Sequence, residues 1–473
     1  MNEFHAAATR DNGVASFYES NPGCNVVYCR DSNGRSWHNR GRQRRPHSGE
    51  LMTQSGTDRP AAGTNKNHSV VPGGETESAY AWTRLVMALL LSTIGGVGMW
   101  SVVVALPPVQ AEFGVARADA SLPYTLTMIG YGLSGILMGR LSDRFGIMVP
   151  VMAGTIALAL GYVLAGSASS LWQFTLVQGL LIGVGSSATF APLLADTSLW
   201  FTRRRGIAVA IFASGNYLAG TVWPPIVQHY IDSVGWRQTY VGIGVFCVAT
   251  MLPLALLLKR RASAAGPMAA GAPVTSWAPR PLRLSPGTLQ ALLVVAPLSC
   301  CVAMSMPQVH LVAYCGDLGY GAARGTQMLS LMLGCGIVSR LAFGWICDRI
   351  GGLRTLLLGS SLQALALLLF LPFDGLVSLY LISALFGLFQ GGIVPSYAII
   401  VREHFPPNEA GARVGTVMMA SLFGMALGGW VSGAIFDWTG SYDAAFVNGI
   451  LWNFLTIAIA FWLLRRQQEP DPS

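Results

Sequence analysis

The sequence predicts an all-α membrane protein of twelve transmembrane helices, built as two pseudo-symmetric halves of six. Three observations lead there. Of 473 residues, 52% are hydrophobic and only 11% are charged, a balance that suits a bilayer and not water. Apolar stretches of about 20 residues, enough to cross a hydrocarbon core of about 30 Å, recur from Trp82 to Leu464. Short polar signatures also return at a fixed separation of 205 residues. Glu112-Phe113-Gly114 comes back as Asp317-Leu318-Gly319, Gly139 to Gly146 as Gly344 to Gly351, and Asp232-Ser233-Val234-Gly235 as Asp437-Trp438-Thr439-Gly440. A constant offset of this kind means one half used twice, in parallel orientation.

Taken in order, residues 1–79 are polar, rich in Asn, Ser, Gly and Arg, and hold no apolar h-region of a signal peptide. They are expected to form a disordered cytoplasmic tail. Cys24 and Cys29 lie in this tail near several histidines, but no second cysteine pair completes a zinc site, so no metal is expected. The first half covers 80–260, with spans near 84–106, 122–140, 148–167, 172–194, 206–229 and 238–258. Pro107 and Pro108 close the first span. A central loop, 261–286, follows. The second half covers 287–466, with spans near 288–313, 326–345, 353–373, 376–400, 412–435 and 444–464, before a short tail at 467–473. Span ten contains Gln390-Gly391-Gly392 and Pro395, which marks a broken helix whose freed backbone can line a cavity. The pairs Gly135/Gly139, Gly179/Gly183 and Gly424/Gly428 have the four-residue spacing of close helix contacts.

Orientation follows from basic residues. One set of loops carries Arg140, Arg144, Arg203 to Arg205, Lys259 to Arg261, Arg349 and Arg354, while the opposite set has only Arg117, Arg237 and Arg324. Positive residues stay inside, so both termini and the central loop are expected in the cytoplasm, in a cell (plasma or inner) membrane. The net charge of +8 reflects this topology and the anionic lipid surface, not a nucleic-acid partner. No cofactor is implied. No nucleophile–base constellation or P-loop stands out, so an enzyme is not expected.

Within span eight one residue breaks the apolar pattern. From Met328 to Trp345 the sequence is apolar or small except for Arg340. At 1.5 Å per residue, Arg340 lies about 12 Å inside the Asp348 end, towards mid-membrane. A charge there is costly and marks a functional site; the alternative is a structural arginine bonded to neighbouring helix carbonyls. The 205-residue offset puts Gly135 at the equivalent place, so the fold itself does not require the arginine.

Gly139 to Gly146, with Asp143 and Arg144, resembles the G-x-L-x-D-R-x-G loop motif of the major facilitator superfamily, and Gly344 to Gly351, with Asp348 and Arg349, is similar to its second-half echo. Ile147 departs from the pattern, where a basic residue often follows. Trp200-Phe201, Arg203 to Gly206, Gly235-Trp236-Arg237 and the placement of Arg340 resemble the branch of monocarboxylate transporters and oxalate/formate antiporters. The resemblance implies a secondary transporter working by alternating access, with Arg340 as its anion-binding residue. Asp143, Arg144, Asp348 and Arg349 would be cytoplasmic gates. Three departures stand out. Gly336 occupies the place, four residues before Arg340, where monocarboxylate carriers often have an acidic residue, and neither span one nor span eleven holds a lysine.

The reading that follows is a carrier of a small organic anion, a monocarboxylate, since one buried cation suits one carboxylate. Asn216, Tyr217, Gln308, His310 and Tyr397 are candidates for the remaining substrate contacts. His310 is also the candidate for a coupled proton, against a plain packing role. Efflux of a neutral or cationic compound and non-transporting substrate sensing are the alternatives.

Overall fold

In a computed structural model, residues 15–17, 28–30, 36–38, 78–201, 204–259 and 284–468 are described. The first group consists of three short strands, Ala15–Phe17, Tyr28–Arg30 and Ser36–His38, paired antiparallel in that order. These strands fall within the tail expected to be disordered. The rest of that expectation lies outside the described residues, as do most of the central loop and the last five residues.

From Ser78 onward the described chain is helical. Its twelve long segments are Ala79–Phe113, Arg117–Phe145, Met148–Gly166, Leu171–Trp200, Ile207–Val234, Trp236–Leu257, Pro286–Asp317, Ala322–Ile350, Gly352–Leu369, Leu376–His404, Pro407–Thr439 and Tyr442–Gln468. They are referred to below as the first to twelfth helices. Eleven are long and apolar enough to cross a bilayer. The second, of 29 residues, is more polar and ends in Arg140, Asp143 and Arg144.

The internal repeat is carried into the backbone. Arg117–Phe145 and Ala322–Ile350 match end for end at the 205-residue offset. So do the left-handed glycines that stop helices: Gly114 with Gly319, Gly146 with Gly351 (φ 83° and 84°), and Gly235 with Gly440. Only glycine adopts these angles without strain, which is why these positions survive in both copies.

Several helices are interrupted. The fifth helix divides at Ser214, between Arg205–Ala213 and Gly215–Val234. The tenth divides at Gly391-Gly392, between Leu376–Gln390 and Ile393–His404. Its glycine pair is required by crowding, since a Cβ at Gly392 would run into the Phe343 ring. The first helix differs from expectation. Pro107 and Pro108 lie inside it, and it continues to Phe113 with Val109 buried against the bundle. A proline removes one hydrogen bond, and packing in a helical bundle compensates for it.

The fifth helix packs on the eighth and the second on the eleventh, joining the halves. Gly179 and Gly183 let the fourth helix touch the backbone of the second, and Gly424 and Gly428 bring the eleventh onto the seventh. Gly135 and Gly139 do not repeat this pattern. Nothing lies within 4 Å of where their Cβ atoms would be, and the same holds for Gly411 and Gly415. These four lie towards the face that carries the two loop motifs, where Ile136, Leu298, Met419 and Phe423 border an apolar cleft of about 630 Å³.

Candidate functional site

Arg340 is half-buried on the eighth helix, facing the fifth and tenth helices where both are broken. Its Nη1 donates to the carbonyl of Ala213 at 2.9 Å and its Nε to that of Gly391 at 3.4 Å. Ala213 ends one half-helix and Gly391 caps another. The last carbonyls of a helix lack intrahelical donors and carry the negative end of its dipole. Two such ends therefore surround the guanidinium and offset the cost of a cation in an apolar layer. The face of the Tyr217 ring completes the cradle, 4.5 Å from the guanidinium carbon. No carboxylate pairs with Arg340 among the described residues, and its Nη2 makes no hydrogen bond there. The arginine is thus tied to helix carbonyls through two of its three nitrogens.

Gly336, one turn earlier on the same face, touches Tyr217 directly. A Cβ at 336 would collide with the ring's Cε1 and Cδ1. Asn216 adjoins Tyr217, is half-buried and makes no side-chain hydrogen bond among the described residues. Gln308 donates to Gln390 at 2.9 Å, and both are buried. Gln390 directly precedes Gly391, so this pair braces the break that holds Arg340. Sequence reasoning did not single out Gln390, although the Gln-Gly-Gly run was its signal.

Two further candidates lie elsewhere. Tyr397 is fully buried beside Cys300. His310 is fully buried and its Nε2 meets the carbonyl of Gly429 on the eleventh helix at 2.8 Å. Neither touches Arg340 among the described residues.

Asp143, Arg144, Asp348 and Arg349 are exposed at the motif face. Arg144 lies over Phe145 and Arg349 over Trp345, and no ion pair joins the four to one another. Asp348 and Arg349 border a polar pocket of about 540 Å³ together with Arg354 and Glu403.

The opposite face is closed by a cluster the sequence did not disclose. Arg117, at the start of the second helix, pairs with Asp317 at 3.1 Å and donates to the hydroxyl of Tyr442. It also lies over the Phe436 ring. The carboxylate of Asp437 accepts the backbone N–H groups of Arg117 and Ala118 at 2.8 and 2.7 Å, capping the second helix. Every partner comes from the second half.

The sequence model described as Major Facilitator Superfamily matches residues 88–383 and 335–473, which together span most of the chain. The chain belongs to the major facilitator superfamily. As a superfamily transporter it is a multi-pass membrane protein. Monocarboxylate transporter 13 of Bos taurus is 31% identical over 315 residues, 65% of this chain and 71% of the relative. Monocarboxylate transporter 11 of Homo sapiens is 26% identical over 393 residues, 80% of this chain and 81% of that one. The fold of this superfamily transporter is similar to a solved bacterial homologue of the human lysosomal transporter Spinster, described as inward-facing and occupied. The TM-score is 0.65 at 13% identity, covering 83% of this chain and 99% of that one. The nucleoside transporter NupG gives a TM-score of 0.62 at 16% identity, covering 81% of this chain and 99% of that one.

Proposed function

We propose that this transporter carries a small organic anion, a monocarboxylate, across the cell membrane by alternating access, with both termini cytoplasmic. The observation that carries the proposal is the guanidinium of Arg340, placed within the eighth helix and, among the described residues, without a carboxylate partner or a hydrogen bond at Nη2. An arginine fork accepts a carboxylate through two parallel bonds, and low dielectric strengthens the pairing. A carboxylate bound across Nη1 and Nη2 would share Nη1 with the Ala213 carbonyl, since each terminal nitrogen carries two N–H groups. That carbonyl belongs to the first half and the arginine to the second, so binding acts on the contact between halves. Asn216 stands beside the fork as a further substrate contact, and Tyr217 bears on the substrate through its ring against Arg340. Gln308 contributes through Gln390. His310 and Tyr397 remain candidates for a state in which the helices have moved.

In this conformation the halves are joined through Arg117 on one face, while Asp143, Arg144, Asp348 and Arg349 stand apart on the other. Transport would reverse that arrangement, with the four gate residues pairing as the Arg117 cluster opens. A proton is the candidate co-substrate. The relatives named monocarboxylate transporters favour the same substrate class.

The test is ligand-induced stabilisation of the purified chain by small organic acids, their amides and organic cations. A ligand that binds the folded state raises its stability by mass action. Monocarboxylates should raise the melting midpoint, and the matching amides and cations should not. Stabilisation by cations or amides alone would contradict the anion assignment.

A further inference from the structure

Gly336 and Tyr217 together fix what surrounds Arg340. Gly336 precedes Arg340 by one helical turn, so a side chain at 336 would project onto the same face as the guanidinium. That space is already filled, because the Tyr217 ring lies where the Cβ would stand. On its other side Gly336 presents its carbonyl against Gly391, so the eighth helix cannot shift away to make room. The same ring carries the guanidinium of Arg340 at 4.5 Å. Its hydroxyl makes no hydrogen bond among the described residues and is not sealed from solvent. Arg84, Arg117, Arg237 and Arg413 each combine an aromatic ring with a carboxylate within 4.0 Å, whereas Arg340 has the ring and no carboxylate among the described residues.

We propose that Tyr217 is the positioning residue of the site. Its ring face sets the plane of the Arg340 fork and occupies the ground where an acidic partner would sit, which leaves the substrate's carboxylate as the fork's only strong counter-ion. The inference rests on the anion-carrier reading above and adds a role that reading does not need. A stacked guanidinium is held flat and presents its edge, the geometry a planar carboxylate requires. Because the ring neutralises less charge than a carboxylate would, the site favours one ionised group over a neutral amide. It also holds no competing carboxylate for the substrate to displace.

The experiment measures the affinity of the purified full chain for pyruvate, isobutyrate and benzoate, with the corresponding amides as controls. Wild type is compared with Tyr217→Phe, Tyr217→Leu, Gly336→Ala and the Tyr217→Leu/Gly336→Ala double variant, and Arg340→Ala serves as reference. Tyr217→Phe keeps the ring and should bind the tightest of these carboxylates to within about 3-fold of wild type. Tyr217→Leu removes the stacking and should weaken binding about 10-fold. Gly336→Ala should push the ring off the guanidinium and cost a similar factor alone, yet add less than about 3-fold in the Tyr217→Leu background. The two residues are in contact, so this coupling shows that Gly336→Ala acts through the ring, and the positioning role is read from the contrast between Tyr217→Phe and Tyr217→Leu. If Arg340→Ala abolishes binding while Tyr217→Leu binds like wild type, the positioning role falls and the anion site stands. If Tyr217→Phe loses as much as Tyr217→Leu, the hydroxyl and not the ring is responsible, and the inference is wrong. Normal binding by Arg340→Ala, or no binding of any of the three carboxylates by wild type, overturns the underlying site and this inference with it. Should Tyr217→Leu not fold, Gly336→Ala decides alone, and wild-type affinity in that variant contradicts the inference.

Discussion

Arg84 and Arg340 are both arginines inside apolar helices, and their surroundings separate structure from site. Arg84 is 2% exposed and grips both oxygens of Asp196, at 2.9 and 3.0 Å, with its third nitrogen on the Leu258 carbonyl. Every nitrogen of that guanidinium is occupied, so Arg84 fastens the first helix to the fourth and sixth. Arg340 has two carbonyls, a ring and, among the described residues, no hydrogen bond at its third nitrogen. Asp196→Ala should therefore lower the stability of the protein by about 3–5 kcal/mol, the usual cost of stranding one partner of a buried pair. The readout is the melting midpoint beside the carboxylate affinity, which should hardly change in the variant. An unaltered midpoint would show that the pair does not hold these helices. The sequence exposes Arg340 because it interrupts an apolar run, whereas Asp196 lies 112 residues from its partner and no periodicity connects them. His310 illustrates the same limit. Its place in the seventh helix could be read from the pattern, but its bond to Gly429, 119 residues on, could not.

At the scale of elements, the repeat explains the closed face through a substitution between its copies. In the first half Glu112 pairs with Arg237 at 2.7 Å. The offset of 205 residues carries Glu112 onto Asp317 and Arg237 onto Tyr442, and Tyr442 does bond to Asp317, at 3.1 Å. The second copy has Tyr442 where the first has that cation, and Arg117 supplies one from the opposite half. A contact internal to the first half is thus matched by a contact between halves in the second. Arg117→Gln should loosen this face. A single cysteine introduced at Ala118 should then react with a membrane-impermeant maleimide several-fold faster than in the unaltered background, with equal rates counting against a closing role. On the motif face, the gate role proposed for Asp143 predicts that Asp143→Asn slows turnover more than it weakens binding, because the exposed carboxylate stands away from Arg340. Equal losses in both would refute its place in the gate. The two glycine-rich loop motifs, the repeat and the break at Gly391-Gly392 were all legible in the sequence, since each depends on local backbone needs. The cluster at Arg117 was not, because its side-chain contacts span 200 and 325 residues and depend on how the halves meet. The first helix outran its expected end because local proline chemistry was outweighed by burial.

For the whole molecule, the central claim is that a symmetric scaffold becomes a carrier for an anion through one asymmetric residue. The scaffold follows from apolar runs and a repeat, and the described residues hold twelve long helical segments, eleven of them apolar enough to cross a bilayer. The proposed site lies where that repeat fails, since the equivalent of Arg340 is Gly135, with nothing within 4 Å of its Cβ position. What the pattern could not supply was the cradle of two broken helix ends and a tyrosine ring, which comes from three helices and both halves. The most direct measurement is monocarboxylate binding by wild type, Arg340→Lys and Arg340→Ala, each first shown to elute as a single folded species. Arg340→Lys retains the charge and loses the planar fork, so binding should weaken clearly; Arg340→Ala removes both and should weaken it by roughly 10²–10³ or more. Folding should survive in both, because glycine already serves at the matching position of the first half. Normal carboxylate binding by Arg340→Ala would contradict the account, leaving the arginine as a tie between helix carbonyls and the substrate class without support.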